Sequence, residues 1–341
     1  MKSTVYNFIS IFPHLLSIPV ILYTNVLSTV YFAKLSLLLV FIVFALFISK
    51  KRLLINEMDA LVALFLFFSI FSILWGAQNI ETIFYCVGMV STGALSYILV
   101  RIVGNPHWGV KSLLAVLVFE IFCSFIAHNM EFEAKAYYGI GMVSTLLAST
   151  ILRKKLIKLI LAIFLVFTSA GRFALAASMT AWNTNAYKVF FVFGSYVALA
   201  AASSYFYLTQ YHGLFLGYRI SEYAVVIDKL NWSSLLIGHG YGQDYAEVFL
   251  GSKGTLNHYG IYHNFYLTVF ENTGVVGLSL LLMSVLLPIL LVSEKKDKSI
   301  LILPILWSAI LLIEASRDGP WVLFWVLALA SNEIEKHRKS R

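Results

Sequence analysis

Charge is scarce in this sequence. Asp, Glu, Lys and Arg make up 12% of its 341 residues, against roughly 25% in ordinary globular proteins. That shortage excludes a soluble protein of this length, because surface-to-volume scaling would leave too much apolar surface facing water. Cysteine is nearly absent as well. Cys86 and Cys123 both sit inside apolar runs and the polar loops hold none, which excludes a disulfide framework and reads as two small buried thiols. No soluble stretch carries a basic face with interleaved aromatics, so the net charge of +8 does not point to nucleic acid. No internal repeat is visible either, which argues against a transporter built from repeated halves.

What the chain has in abundance is apolar surface. Hydrophobic residues account for 60% and the mean hydropathy is +0.83. A membrane-spanning helix needs about 20 apolar residues, and such segments run along most of the chain. They fall near 5–24, 28–49, 58–76, 81–100, 112–127, 138–152, 156–170, 172–184, 188–208, 264–292, 299–316 and 320–333. The expected fold is all-α, a polytopic membrane bundle of about 12 transmembrane helices. The first segment starts after Lys2 like a signal peptide, but Pro13 and His14 interrupt it and no small-residue cleavage site follows, so an uncleaved anchor is expected.

Positive clusters set the orientation. They are Lys50-Lys51-Arg52, Arg101 with Lys111, Arg153-Lys154-Lys155, Lys295-Lys296 with Lys298, and the tail Lys336-His337-Arg338-Lys339-Ser340-Arg341. All belong in the cytoplasm by the positive-inside rule. The rule holds throughout only if 156–184 is two short spans meeting near Ser169-Ala170-Gly171-Arg172, where Gly beside Arg makes a plausible break. One long helix there would instead put Lys295-Lys296 outside. The chain then divides into N-terminal helices over 1–155, a core over 156–293, and C-terminal helices with a basic cytoplasmic tail over 294–341.

All connections are short except 209–262, a long loop on the outer face. Long loops in compact proteins are usually functional or disordered, and this one carries aromatics, glycines and an amphipathic stretch. In 217–230, Ile220, Tyr223, Ala224, Ile227 and Leu230 recur at helical spacing, with Arg219, Glu222 and Lys229 off that face. An interfacial helix lying on the membrane is the plain reading; the sharper one holds Arg219 at the level of lipid phosphates. Leu236-Ile237-Gly238-His239-Gly240-Tyr241-Gly242 follows, either a tight turn or a place where backbone approaches a ligand closely. Then Tyr262-His263-Asn264 stands where the chain re-enters the membrane, with Glu271 two turns further on. A histidine there is either a helix cap or a proton-transfer group.

These pieces resemble a family. His263-Asn264, nine residues, Gly274, two residues, Gly277 is similar to the His-Asn-(x9)-Gly-x-x-Gly signature of the bacterial O-antigen ligases and O-antigen polymerases. The Leu236–Gly242 run resembles the Leu-Gly-x-Gly turn that precedes it there, and Arg219 matches the arginine opening the periplasmic loop helix. Thr168-Ser169-Ala170-Gly171-Arg172-Phe173-Ala174 resembles the family's Ser-Arg-Gly-Ala motif, but with two residues inserted between Ser and Arg and the following Gly missing. The resemblance covers about 160–290, with the first 150 residues alike only in being helical.

The resemblance implies a GT-C-like glycosyltransferase, metal-independent and without cofactor, in the bacterial inner membrane with its active site facing the periplasm. It would polymerise undecaprenyl-diphosphate-linked repeat units into O-antigen or a related surface polysaccharide. The alternatives are a ligase delivering the glycan to the lipid A core and, from a different class, a flippase for the lipid-linked sugar. Expected partners are the lipid-linked donor, a glycan or lipid A-core acceptor, membrane lipids and a chain-length regulator. Arg172 and Arg219 suit the departing diphosphate, because guanidinium binds phosphate oxygens in pairs and stays charged; helix-end packing and snorkelling are the plain alternatives. His263 is the expected base. Asn264, Glu271, Tyr241, Tyr262 and Arg317 complete the expected substrate site, with aromatic-belt anchoring the plain role for the two tyrosines. Arg317 clusters with Glu314 and Asp318, either as an ion pair or as a third phosphate contact. Glu120 inside a span is a functional flag or a buried, bonded carboxyl. His212, His239, His258 and His263 lack an acidic partner at ligand spacing, so no metal site is expected.

Overall fold

A computed structural model of the chain describes residues 27–48, 54–76, 80–103, 226–227, 229–241, 247–249, 255–257, 264–291, 304 and 319–339. These residues are helical apart from short turns and one small antiparallel ribbon. In chain order they are α1 (Leu27–Ile48), α2 (Glu57–Phe71), α3 (Ile73–Gly76), α4 (Ile80–Val103), α5 (Trp232–Ile237), β1 (Glu247–Phe249), β2 (Thr255–Asn257), α6 (Phe265–Leu291) and α7 (Gly319–Lys339). The ribbon pairs Glu247 with Asn257 and Phe249 with Thr255.

Two stretches are long and apolar enough to cross a membrane, Glu57–Gly76 and Phe265–Pro288. The apolar segments expected at 28–49, 58–76, 81–100, 264–292 and 320–333 each correspond to helix. Those expected at 5–24 and between 112 and 208 lie outside the described residues, as do the boundaries at 155 and 293; of 299–316 only Pro304 is described.

The helices carry apolar side chains on faces that no neighbour covers. On α1, Leu38, Ile42 and Ala45 are buried against Leu99 and Ile102 of α4. Val40, Val43 and Phe47 on the other side are 64%, 52% and 85% exposed. A helix apolar all round belongs in a large core or in lipid. Hydroxyls inside α4 are satisfied by the helix itself: Thr92 donates to the Gly88 carbonyl and Ser96 to the Thr92 carbonyl, both at 2.7 Å.

Asn56 starts α2 with a reciprocal cap. Its side chain accepts from the Asp59 N–H at 3.1 Å while Asp59 Oδ2 accepts from the Asn56 N–H at 2.9 Å. The same Asp59 receives the buried guanidinium of Arg101, whose Nε and Nη2 donate to its two oxygens at 2.8 Å each. Arg101 also donates to the Leu54 carbonyl at 2.9 Å, to Glu335 at 3.1 Å and to Asn332. Tyr97 adds a 2.7 Å hydrogen bond to Asp59, and Asn56 donates to Ser331 at 2.9 Å. One arginine, 3% exposed, thus ties α2, α4 and α7 together. A sequence reading that takes Arg101 only as a topology charge misses this, although an aspartate at the second position of an expected span was the visible signal.

The last helix is longer than its apolar run. It continues from residue 333 to Lys339 through the expected cytoplasmic tail. Ion pairs one turn apart carry it, Lys336 with Glu333 at 3.5 Å and Lys339 with Glu335 at 2.6 Å. Basic residues in the final turn also suit the negative end of the helix dipole. Arg338 reaches back to Glu57 at 2.6 Å.

Arg101→Leu leaves the half-buried Asp59 without its cation and Glu335 with Lys339 alone. We expect it to cost roughly 3–5 kcal/mol, the usual penalty for removing one member of a buried ion pair. Thermal unfolding of the detergent-solubilised chain measures this. Asp59→Leu added to Arg101→Leu should recover part of the loss; equal midpoints for the wild type and the single variant would show the network to be idle.

Candidate functional site

The glycine-rich run of the long loop folds onto the helix that follows it. Asn231 caps α5: its side chain accepts from the Ser234 N–H at 2.9 Å, and Ser234 Oγ accepts from the Asn231 N–H at 2.8 Å. The helix stops at Gly238, and the next residues lie across α6. The His239 N–H donates to the Glu271 carbonyl at 2.7 Å and the Gly240 N–H to the Asn272 carbonyl at 3.0 Å. A continuous helix would spend those two carbonyls on residues four positions later. Here Gly274 interrupts α6, with φ 62° and ψ −163°, and the turn takes up the freed acceptors.

Three glycines with positive φ make this docking feasible, and the first, Gly238 at φ 75°, lies against the Asn272–Thr273 backbone. Gly274 has positive φ, and a Cβ there would run into the Leu236 backbone. Gly240, at φ 83°, lies with its backbone against Ser72 and Gly76 at the end of the α2–α3 stretch. Only glycine adopts such angles without strain and admits such close backbone approach. The Tyr241 N–H then reaches Ser72 Oγ at 3.4 Å. The loop turn is therefore wedged between two membrane-length helices.

Asn264 begins α6. Its carboxamide oxygen accepts from the N–H groups of Tyr266 and Leu267 at 2.9 and 3.1 Å, which makes it an N-cap. Thr268, Asn272 and Thr273 follow on the buried side, and Glu271 is 1% exposed. The side chains of Asn272 and Thr273 return to carbonyls of their own helix at 2.6 Å.

The structure sets the Gly238–Tyr241 turn on the Glu271–Gly274 part of α6, while Asn264 caps the same helix seven residues before Glu271. Tyr241 is 2% exposed, where the turn carries it under the end of α3. In the 217–230 stretch Ile227, on the apolar face, is 66% exposed, and its neighbour Val226 is buried against Leu267 and Phe270 of α6. A helix with lipid on one side and protein on the other has apolar residues on both, so periodicity alone does not say which side packs. Arg172, Arg219, Tyr262, His263 and Arg317 lie outside the described residues, as do Glu120, Glu314 and Asp318.

Ser72 and Gly76 belong to the site and were missed. A Gly closing an apolar run beside a Ser was the available signal, and it is a weak one. Partial burial holds the imidazole of His239 below its ordinary pKa of 6.5, with the positive charge of Lys229 adding to the effect; hydrogen bonding at the Lys229 and Glu271 backbones opposes it less strongly. His239 is therefore neutral at pH 7.

Neither a scan against protein-family models nor a search of curated proteins returns a match to this chain.

Two outcomes follow from this geometry. Gly274→Ala should destabilise the chain by more than the ~1–2 kcal/mol left-handed penalty, because the added methyl also displaces Leu236; a thermal melt checks it. The depressed His239 pKa means the unfolded chain binds more protons just below 6.5, so this contribution to stability is full above that pH and is lost as pH falls towards the folded value. His239→Gln should flatten that part of the pH dependence in melts between pH 7.5 and 5. An identical pH dependence in wild type and variant would show that the imbalance lies elsewhere.

Proposed function

We propose that the chain is a membrane glycosyltransferase that polymerises undecaprenyl-diphosphate-linked repeat units into O-antigen or a related surface polysaccharide. The observation that carries this reading is the docking of the Gly238–Gly240 turn on the Gly274 break of α6. Those belong to two of the four elements by which the sequence resembles the O-antigen polymerases and ligases, and they form one backbone-to-backbone unit. The loop stretch after Arg219 supports the reading too: Val226, seven residues on in sequence, packs on Leu267 of α6.

The chemistry follows from the residue types. An acceptor hydroxyl attacks the anomeric carbon of the donor sugar. The bond from that carbon to the diphosphate oxygen breaks and its electron pair leaves on the diphosphate. Arg219 and Arg172 hold the negative charge that develops there, and His263 takes the proton of the attacking hydroxyl. Asn264 fixes the start of α6, and His263 precedes it in sequence. Glu271, Tyr262 and Arg317 are substrate-binding residues in this reading, and the site faces the periplasm from a multi-pass inner-membrane bundle.

The test is a gel of surface glycolipid from a strain deleted for the chain and complemented with wild type, Arg219→Ala or His263→Ala. We expect core carrying a single repeat unit in the deletion strain, with a ladder restored by wild type alone. Long glycan stranded on the lipid carrier, with none on the core, would make the chain the ligase. A full ladder from both variants would remove the catalytic assignment.

A further inference from the structure

The end of the bundle held by Arg101 contains a groove that the proposed glycan chemistry does not use. It has a volume of about 310 Å³ and runs between α2 and α4, from Ile55 to Leu66 along one wall and from Ala94 to Arg101 along the other. Asp59, Tyr97 and Arg101 line its floor, yet the surface the groove presents is almost wholly apolar. Its sides are apolar, and alanines at positions 60, 63 and 94 create the space. The mouth opens outward, with Ile55 85% and Ile98 41% exposed.

We propose that this groove holds one acyl chain of a bilayer phospholipid, in the leaflet at the basic end of α7. Three observations fix the occupant. The groove lies on a stretch long and apolar enough to cross a membrane, and the residues at its mouth are exposed and apolar. Its 12 residues from Ile55 to Leu66 make 11 steps, about 16 Å at ~1.5 Å per residue, which is close to half of the ~30 Å hydrocarbon core, the depth of a single leaflet.

The third observation is electrostatic complementarity. Every polar group on the floor is already engaged: both Asp59 oxygens accept from Arg101, Tyr97 donates to Asp59, and Arg101 is further bound by Leu54, Asn332 and Glu335. The charges also cancel locally. Arg101 faces Asp59 and Glu335, and Glu335 faces Lys339, two positive groups against two negative ones. A charged or hydrogen-bonding ligand would find no partner there and would lose its own hydration. A hydrocarbon chain satisfies such a lining, and head-group atoms remain at the level of Ile55 and the basic residues of α7.

The experiment reconstitutes the full chain in phospholipid nanodiscs containing a phosphatidylcholine with a photo-reactive group in its acyl chain. Cross-linked peptides are then mapped by mass spectrometry. Phe67 is the internal control, since it is 67% exposed on the same helix but lies outside the groove. We expect labelling at residues 55–66 and 94–101 above that at Phe67. Ala63→Trp and Ala94→Trp, which fill the groove from opposite walls, should each reduce it to the Phe67 level while leaving Phe67 labelling unchanged. Equal labelling of groove and control in the wild type would overturn the proposal, as would undiminished groove labelling in both tryptophan variants. Preferential labelling by a photo-reactive polyprenyl chain, with none by the phospholipid, would also overturn it.

Discussion

The buried guanidinium of Arg101 is the interaction on which the arrangement of helices turns. A charge so far from water is tolerable only when its hydrogen-bond donors are met by rigidly held acceptors. Those acceptors come from the start of α2, the segment before it and the end of α7. None of these elements can shift by an ångström without leaving a charge unmet. The helix faces elsewhere are largely Leu, Ile, Val and Phe, which pack without strong directional preference and are no more attracted to one another than to lipid tails. The polar network therefore supplies a register that apolar packing does not, tying residues 56–59 to residues 331–335 across more than 270 positions of sequence.

At the far end of the α2–α3 stretch the register is set differently, by backbone rather than charge. The glycine turn of the long loop lies against Ser72 and Gly76 on one side and the broken α6 on the other. One membrane-length segment thus links the two ends, with ions at its start and glycines at its finish. A loop held through main-chain hydrogen bonds to a helix interior is placed more precisely than one held by side chains alone. Such placement is what a site assembled from a loop and a re-entering helix requires.

Much of this was legible in the sequence. Runs of apolar residues matched each described long helix except α7 to within a few residues, because in lipid every backbone group must be bonded within its own segment and helix is the default. The Gly238–Gly242 run, Gly274 and Asn264 stood out for sound reasons: two need unusual backbone angles and the third is a good cap. Their mutual contact was not legible, since spacing along a chain says nothing about which turn meets which helix. Asp59 and Arg101 were visible as charges within or at the edge of spans, yet their pairing depends on the relative rotation of α2 and α4. The packing of Val226 on Leu267 was not legible either, because both sides of a membrane-associated helix favour apolar residues. The length of α7 was underestimated because hydropathy marks where lipid ends, whereas helix continues as long as pairs such as Glu335–Lys339 support it.

The break at Gly274 also divides α6 by environment. From Asn264 to Gly274 every residue except the half-buried Phe270 is buried, and exposed apolar side chains begin only at Val275 and run to Leu290. That outward surface is 16 residues long, about 24 Å at ~1.5 Å per residue, and falls short of a ~30 Å hydrocarbon core. Where this surface meets lipid, matching it costs a fraction of a kcal/mol per ångström of hydrophobic mismatch, so a bilayer around α6 would be thinnest on the flank that carries the glycine turn.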